Sequence, residues 1–219
     1  MRSGPSTLWR AVALAGIGAA AAAAYAQSLA GPSLVAALRH GGYVLVMRHA
    51  SSPAERPPAA LLDPDNVHGE RQLDESGRRG AESMGQALGT LRIEFGMVLS
   101  SPAFRAVQSA RLAAGTDPAP VEQLNEALPG SGRSRAAELR SEWLRHQVAV
   151  SPPAGTNSLI VTHLPNIVSA FGAQAAGVSE GETLVFRPDG NGAVSLVARV
   201  RIGEWPRLAA TVSAPAVPR

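Results

Sequence analysis

The sequence predicts an α/β domain in which short buried strands alternate with helices around a parallel or mixed sheet. Three observations carry this. Residues 43–47, 97–100 and 158–162 are short, nearly continuous apolar runs, the pattern of strands covered on both faces. Segments with helical spacing of apolar residues separate them. Near the end, Asp189-Gly190-Asn191-Gly192 is a turn-rich tetrapeptide between two further strand-like runs, which signals a hairpin.

In chain order, residues 33–40 read as a short helix stopped by Gly41-Gly42. The strand at 43–47 runs into Arg48-His49-Ala50-Ser51. Residues 52–70, rich in proline, alanine and acidic side chains, form a loop. Asp74 can cap a helix over 75–90, in which Ala81, Met84, Leu88 and the following Leu91 make an apolar face. After the strand at 97–100, Ser101-Pro102 turns the chain into a helix over 103–114. Residues 116–121 read as a linker, and the glycines at 130 and 132 break the chain again. A helix over 135–148 is expected to point Leu139, Trp143 and Leu144 inward. The strand at 158–162 leads to His163 and a helix near 166–176. Strands at 183–187 and 193–201 complete the hairpin. The proline- and alanine-rich stretch after Trp205 is expected to fray.

Composition narrows the function. The chain has 219 residues, 45% hydrophobic and 17% charged, enough for one domain with a sizeable core. There is no cysteine, which excludes a disulfide framework, a thiolate zinc site and a cysteine nucleophile. The pI near 10.4 overstates the basicity. The formal net charge is only +3, and every basic side chain is arginine, which keeps its proton to very high pH. Those arginines are scattered and aromatics are only 4%, so the basic, aromatic stripe of a nucleic-acid binder is missing.

The N-terminus reads as a targeting segment. Arg2 and Arg10 make a positive region, residues 11–24 are apolar and alanine-rich, and Ala24-Tyr25-Ala26 is an A-x-A pattern. These features describe a secretory signal peptide cut after Ala26, placing the mature protein in the periplasm or outside the cell. The rival reading is an uncleaved anchor, the one route by which the chain would contact a membrane. The expected organisation is a signal peptide over 1–26, one domain over 27–205 and a disordered tail over 206–219.

Three expected strands end in polar residues of one chemical type: Arg48-His49, Ser100 leading to Arg105, and Thr162-His163. In open α/β sheets ligands bind beyond the carboxyl ends of the strands, so all three point at one possible site. Leu45-Val46-Met47-Arg48-His49-Ala50, Ser100-Ser101-Pro102-Ala103-Phe104-Arg105-Ala106 and Ile160-Val161-Thr162-His163 resemble, in order and spacing, the three signature blocks of the histidine phosphatase (phosphoglycerate mutase-like) superfamily. The resemblance runs from about Gly42 to Arg201. It implies a three-layer sandwich, a mostly parallel central sheet flanked by helices.

The resemblance also implies roles. His49 would be the nucleophile, forming phosphohistidine. Arg48, Arg105 and a protonated His163 would hold the phosphoryl oxygens by charge-assisted hydrogen bonds. His49 must be neutral on the attacking nitrogen, and a backbone carbonyl bonded to the other would fix that tautomer. With arginines supplying the positive field, neither metal nor other cofactor is expected. Leu124-Asn125-Glu126 resembles the block that carries the family's general acid, which makes Glu126 the choice, with a raised pKa needed. Glu122 and Glu182 are reserves. Asn166, one turn past His163, would either bond the site or cap its helix, and Glu182 would stand behind the site. Ala50 replaces the usual glycine, which matters if a positive φ is required there. His40, His68, His146, Arg78 and Arg79 read as surface groups.

The implied activity is hydrolysis of a phosphomonoester outside the cytoplasm, on a small-molecule phosphate or an envelope glycolipid phosphate. The Thr-His-x-x-Asn-Ile run resembles the lipopolysaccharide core heptose phosphatase group. A phosphomutase, or a phosphate-binding module without turnover, are the alternatives.

Overall fold

The structure is a computed structural model describing residues 28–126 and 134–213; the leader-like segment 1–26 and the break at 130–132 lie outside the described residues. Six strands form one sheet: β1 (Val44–Arg48), β2 (Phe95–Ser100), β3 (Ala119–Pro120), β4 (Asn157–Thr162), β5 (Thr183–Pro188) and β6 (Val194–Val200). Their order is β3-β2-β4-β1-β5-β6. The pairs among β3, β2, β4 and β1 are parallel, and β5 and β6 add an antiparallel edge.

Helices cover both faces, as the unbroken apolar strands require. Alternation along β1 sorts the side chains: Leu45 and Met47 enter one apolar cluster, Val44 and Val46 the other. The first cluster takes side chains from α1 (Gly31–His40), α2 (Glu75–Thr90), α3 (Phe104–Ala114) and α6 (Trp205–Ser213). The second takes them from α4 (Arg135–Ala149) and α5 (Leu164–Phe171). All four β1 side chains are fully buried, each worth up to about 1.5–3 kcal/mol. The expected three-layer α/β architecture is what is found.

Local differences have local causes. The linker at 116–121 contributes the short β3, which pairs with β2 through Leu99 and Ser100. On α4 the buried stripe is Ala137, Ser141, Leu144 and Val148; Leu139 lies two residues, about 200° of helix, past Ala137 and is 48% exposed. Trp143 is half-buried against the second cluster. The helix after His163 starts earlier than expected, at Leu164, and tightens into a 3-10 turn over Gly172–Ala175. The tail expected to be disordered from 206 instead carries α6 as far as Ser213. Trp205, fully buried in the first cluster, anchors it with Ala209.

Helix α2 fixes the chain just past the strand end of β1. Asp74 caps it by accepting the Gly77 N–H at 2.7 Å, and accepts the Ser51 hydroxyl at 2.7 Å. The Asp74 N–H donates to the Ser51 carbonyl. Gly77 allows this approach, since a β-carbon there would lie 2.2 Å from the Ser51 carbonyl oxygen. Gly77→Ala should therefore lower stability by about 1–3 kcal/mol, measured by urea unfolding, because backbone rather than a flexible side chain must yield.

Candidate active site

The sheet order puts the carboxyl ends of β2, β4 and β1 side by side. Arg48 pairs with Thr162, and Ser100 with Val161. The ladder continues one residue beyond each strand: the His49 N–H donates to the Thr162 carbonyl, and the Ser101 N–H to the Val161 carbonyl. His49, His163 and Ser101 therefore leave neighbouring strands at one level. Arg105 joins them from the first turn of α3, where the Ser101-Pro102 turn directs the helix back over the sheet.

His49 is buried, and its Nδ1 lies 2.8 Å from the Ala50 carbonyl oxygen. A carbonyl only accepts, so Nδ1 carries the proton and Nε2 keeps its lone pair. The Nε–H of Arg105 donates to that Nε2 at 3.4 Å. Desolvation by burial, together with Arg105, Arg48 and Arg71, brings the His49 pKa down to about 4 despite the opposing bond to Ala50. Among the described residues only Arg92 has a positive φ outside glycine, so Ala50 needs none and its methyl group is buried without backbone strain.

The imidazole of His163 stands 5.2 Å from that of His49, centre to centre, in an edge-on arrangement. Arg105 Nη2 donates to its Nδ1 at 3.0 Å, and its Nε2 lies 2.8 Å from the Ser101 hydroxyl. A guanidinium only donates, so Nδ1 accepts and Nε2 carries the proton. Burial first, then Arg105, pushes this imidazole to about 2. The protonated His163 expected from sequence is thus replaced by a neutral ring, because an arginine already occupies the nitrogen that would carry the second proton. Arg105 Nη2 also meets Glu126 Oε2 at 2.6 Å. This one buried guanidinium touches both imidazoles and the expected acid.

Asn166 does not cap its helix. Its Nδ2 reaches the carbonyls of Leu124 and Asn125 and the Thr162 hydroxyl, tying down the segment that ends in Glu126. Arg48 donates from Nη1 to the Val178 carbonyl at 3.1 Å and from Nη2 to Glu180 at 3.2 Å. Its Nε is buried without a hydrogen-bond partner among the described residues. Glu182 faces away: its carboxylate takes Arg199 at 2.7 Å and the Ser179 N–H at 2.9 Å. Burial alone would raise its pKa, but these bonds win and hold it below the usual carboxylate value. It stands behind the site through its backbone carbonyl, which accepts the Arg48 N–H. Glu122 is exposed on the 3-10 turn Glu122–Leu124.

Four residues at the site escaped the sequence reading. Ser109 accepts the Ala50 N–H at 3.0 Å and donates to the Arg105 carbonyl at 2.7 Å, bridging the histidine loop to α3. Its spacing of one turn from Arg105 was the available signal. Ser101 orients His163. Arg71, held by the carbonyls of Pro53 and Ser52, lends its charge to both imidazoles. Glu180 pairs with Arg48. Nothing local in the sequence marks the last two, because both sit in connecting segments between regular elements.

Residues 44–159 match the histidine phosphatase superfamily, branch 1. The chain belongs to that superfamily. Among solved structures, the protein histidine phosphatase SixA complexed with tungstate aligns with a TM-score of 0.53 and 17% identity, covering 74% of this chain and 98% of that one. A putative alpha-ribazole-5'-P phosphatase from Escherichia coli aligns with a TM-score of 0.50 and 17% identity, covering 71% and 95%. At such identity these likenesses concern the fold. No curated protein sequence matches the chain.

The two imidazoles make stability depend on pH. Both are held neutral in the folded state, with pKa values near 4 and 2, while the unfolded chain titrates near 6.5. Below 6.5 the unfolded chain binds more protons, so folding weakens as pH falls. Each histidine should contribute a slope approaching about 1.4 kcal/mol per pH unit between pH 6 and 4.5. Denaturant unfolding across that window should show a flatter profile for His49→Asn/His163→Asn.

Proposed function

We propose that this protein is an exported phosphomonoester hydrolase that passes the phosphoryl group through His49. The observation that supports it most is the state of one atom. His49 Nε2 is unprotonated, with Nδ1 fixed by a backbone carbonyl, and it faces a buried arginine. A nucleophilic nitrogen beside a fixed cation is what attack on a dianion needs.

The chemistry follows. The phosphoryl group enters between the imidazoles, and its oxygens take the Nε–H and Nη2–H of Arg105 in place of His49, His163 and Glu126. With the guanidinium turned to the dianion, His163 Nδ1 can take up a proton and donate to another oxygen. The lone pair of His49 Nε2 forms the N–P bond as the P–O bond to the leaving group breaks. Glu126, released from Arg105 and protonated from solvent as the substrate binds, gives that proton to the leaving oxygen. It then takes a proton from the water that cleaves the N–P bond, returning inorganic phosphate and neutral His49. The charge that builds on the equatorial oxygens meets Arg48, Arg71 and Arg105.

Export rests on the signal-like segment ending at Ala26. Resemblance to the heptose phosphatase group supports a sugar phosphate or an envelope glycolipid phosphate as substrate. The processed protein should hydrolyse 4-nitrophenyl phosphate without added metal and yield an acid-labile phosphoenzyme on rapid quenching. His49→Ala should lose at least about 10³-fold in kcat and form no phosphoenzyme while keeping its circular dichroism spectrum; equal turnover in the two proteins would refute the assignment. Glu126→Gln should lose about 10²-fold with alkyl phosphates and less with the aryl ester, whose leaving group needs little protonation.

A further inference from the structure

We propose that Glu180 sets the substrate class of the site. It selects phosphomonoesters whose leaving group carries hydroxyl or ammonium donors next to the phosphate, and disfavours those with a carboxylate or second phosphate there. The inference rests on the phosphatase reading above.

The two glutamates paired with the site's arginines differ in one respect. Glu126 sits on Arg105 Nη2, a nitrogen that also faces His163, so a phosphoryl group taking that nitrogen displaces it. Glu180 sits on Arg48, whose Nε is buried and still lacks an acceptor. A phosphoryl oxygen can satisfy that Nε while Glu180 keeps Nη2. Glu180 then remains a carboxylate within the width of one guanidinium from the bound dianion.

Its backbone is held for this. The Gly181 N–H donates to the carbonyls of both Arg48 and His49, and Glu182 accepts the Ser179 N–H. The turn that carries Glu180 is thereby closed across the residue and fixed to the end of β1 through the glycine that follows it. Only Oε1 of Glu180 is engaged; Oε2 accepts no hydrogen bond among the described residues, and the side chain is 35% exposed. A free carboxylate oxygen at that position accepts from a hydroxyl or an ammonium group. It repels a second anion, and partial burial limits the screening of that repulsion.

Glycerol 3-phosphate and 3-phosphoglycerate test this, because they differ by a hydroxymethyl group against a carboxylate. With wild-type protein, kcat/KM should favour glycerol 3-phosphate by about tenfold, mostly through KM, and O-phosphoethanolamine should be accepted. In Glu180→Gln, and again in Glu180→Ala, the ratio of the first two should narrow to about twofold. A wild-type ratio near one, or a ratio that both variants leave intact, overturns the proposal while the phosphatase reading stands. Failure of the wild type on these esters and on 4-nitrophenyl phosphate overturns both.

Discussion

The site depends on one buried cation. The Arg105 guanidinium reaches the lone pair of His49, the lone pair of His163 and the carboxylate of Glu126, while its backbone carbonyl holds the Ser109 hydroxyl that in turn receives the Ala50 N–H. A cation with that little solvent needs acceptors, and neutral imidazole nitrogens supply them. Desolvation and this charge together keep both histidines unprotonated well below neutral pH. His49 Nε2 is therefore held as a base rather than as an ammonium-like donor. Arginine suits the task better than lysine, because several partners are bound from one rigid plane.

The surrounding fold keeps that plane in place. The parallel ladder brings β1 and β4 to the same level, and α3 starts from the turn after β2. Asp74 and Gly77 hold the chain after His49 against α2. Asn166 and Thr162 hold the Leu124 carbonyl, which steadies the chain just before Glu126. Much of the polar side-chain bonding near the site goes to backbone carbonyls rather than to other side chains, so positions are set by the main chain of the sheet and its first turns.

What the sequence made legible follows the range of the interactions. Strands buried on both faces are continuous apolar runs, and the Asp74 cap is a single residue before a periodic segment, so β1, β4 and α2 could be read locally. The three strand-end blocks could be read because they resemble a family pattern. The protonation of His163 could not, since it depends on Arg105 arriving from another element. Glu180 and Arg71 sit in connecting segments whose paths are set by tertiary packing, and a short-range pattern carries no trace of their partners. Trp205 was taken as the edge of a tail because the proline-rich composition after it outweighed one aromatic side chain. Packing against the first cluster decided otherwise.

The strand order has a consequence for how the chain acquires its activity. β4 lies between β1 and β2, so the strands bearing His49 and leading to Arg105 are joined in the sheet only through the one bearing His163. Val44 must find Ser158, a contact of long sequence separation whose loop must close before any ladder bond offsets its entropy. Early, local pairings such as the β5–β6 hairpin can form without it. A nascent or truncated chain ending before residue 157 would then have secondary structure but no assembled site, and enzymatic competence would wait on completion of the sheet.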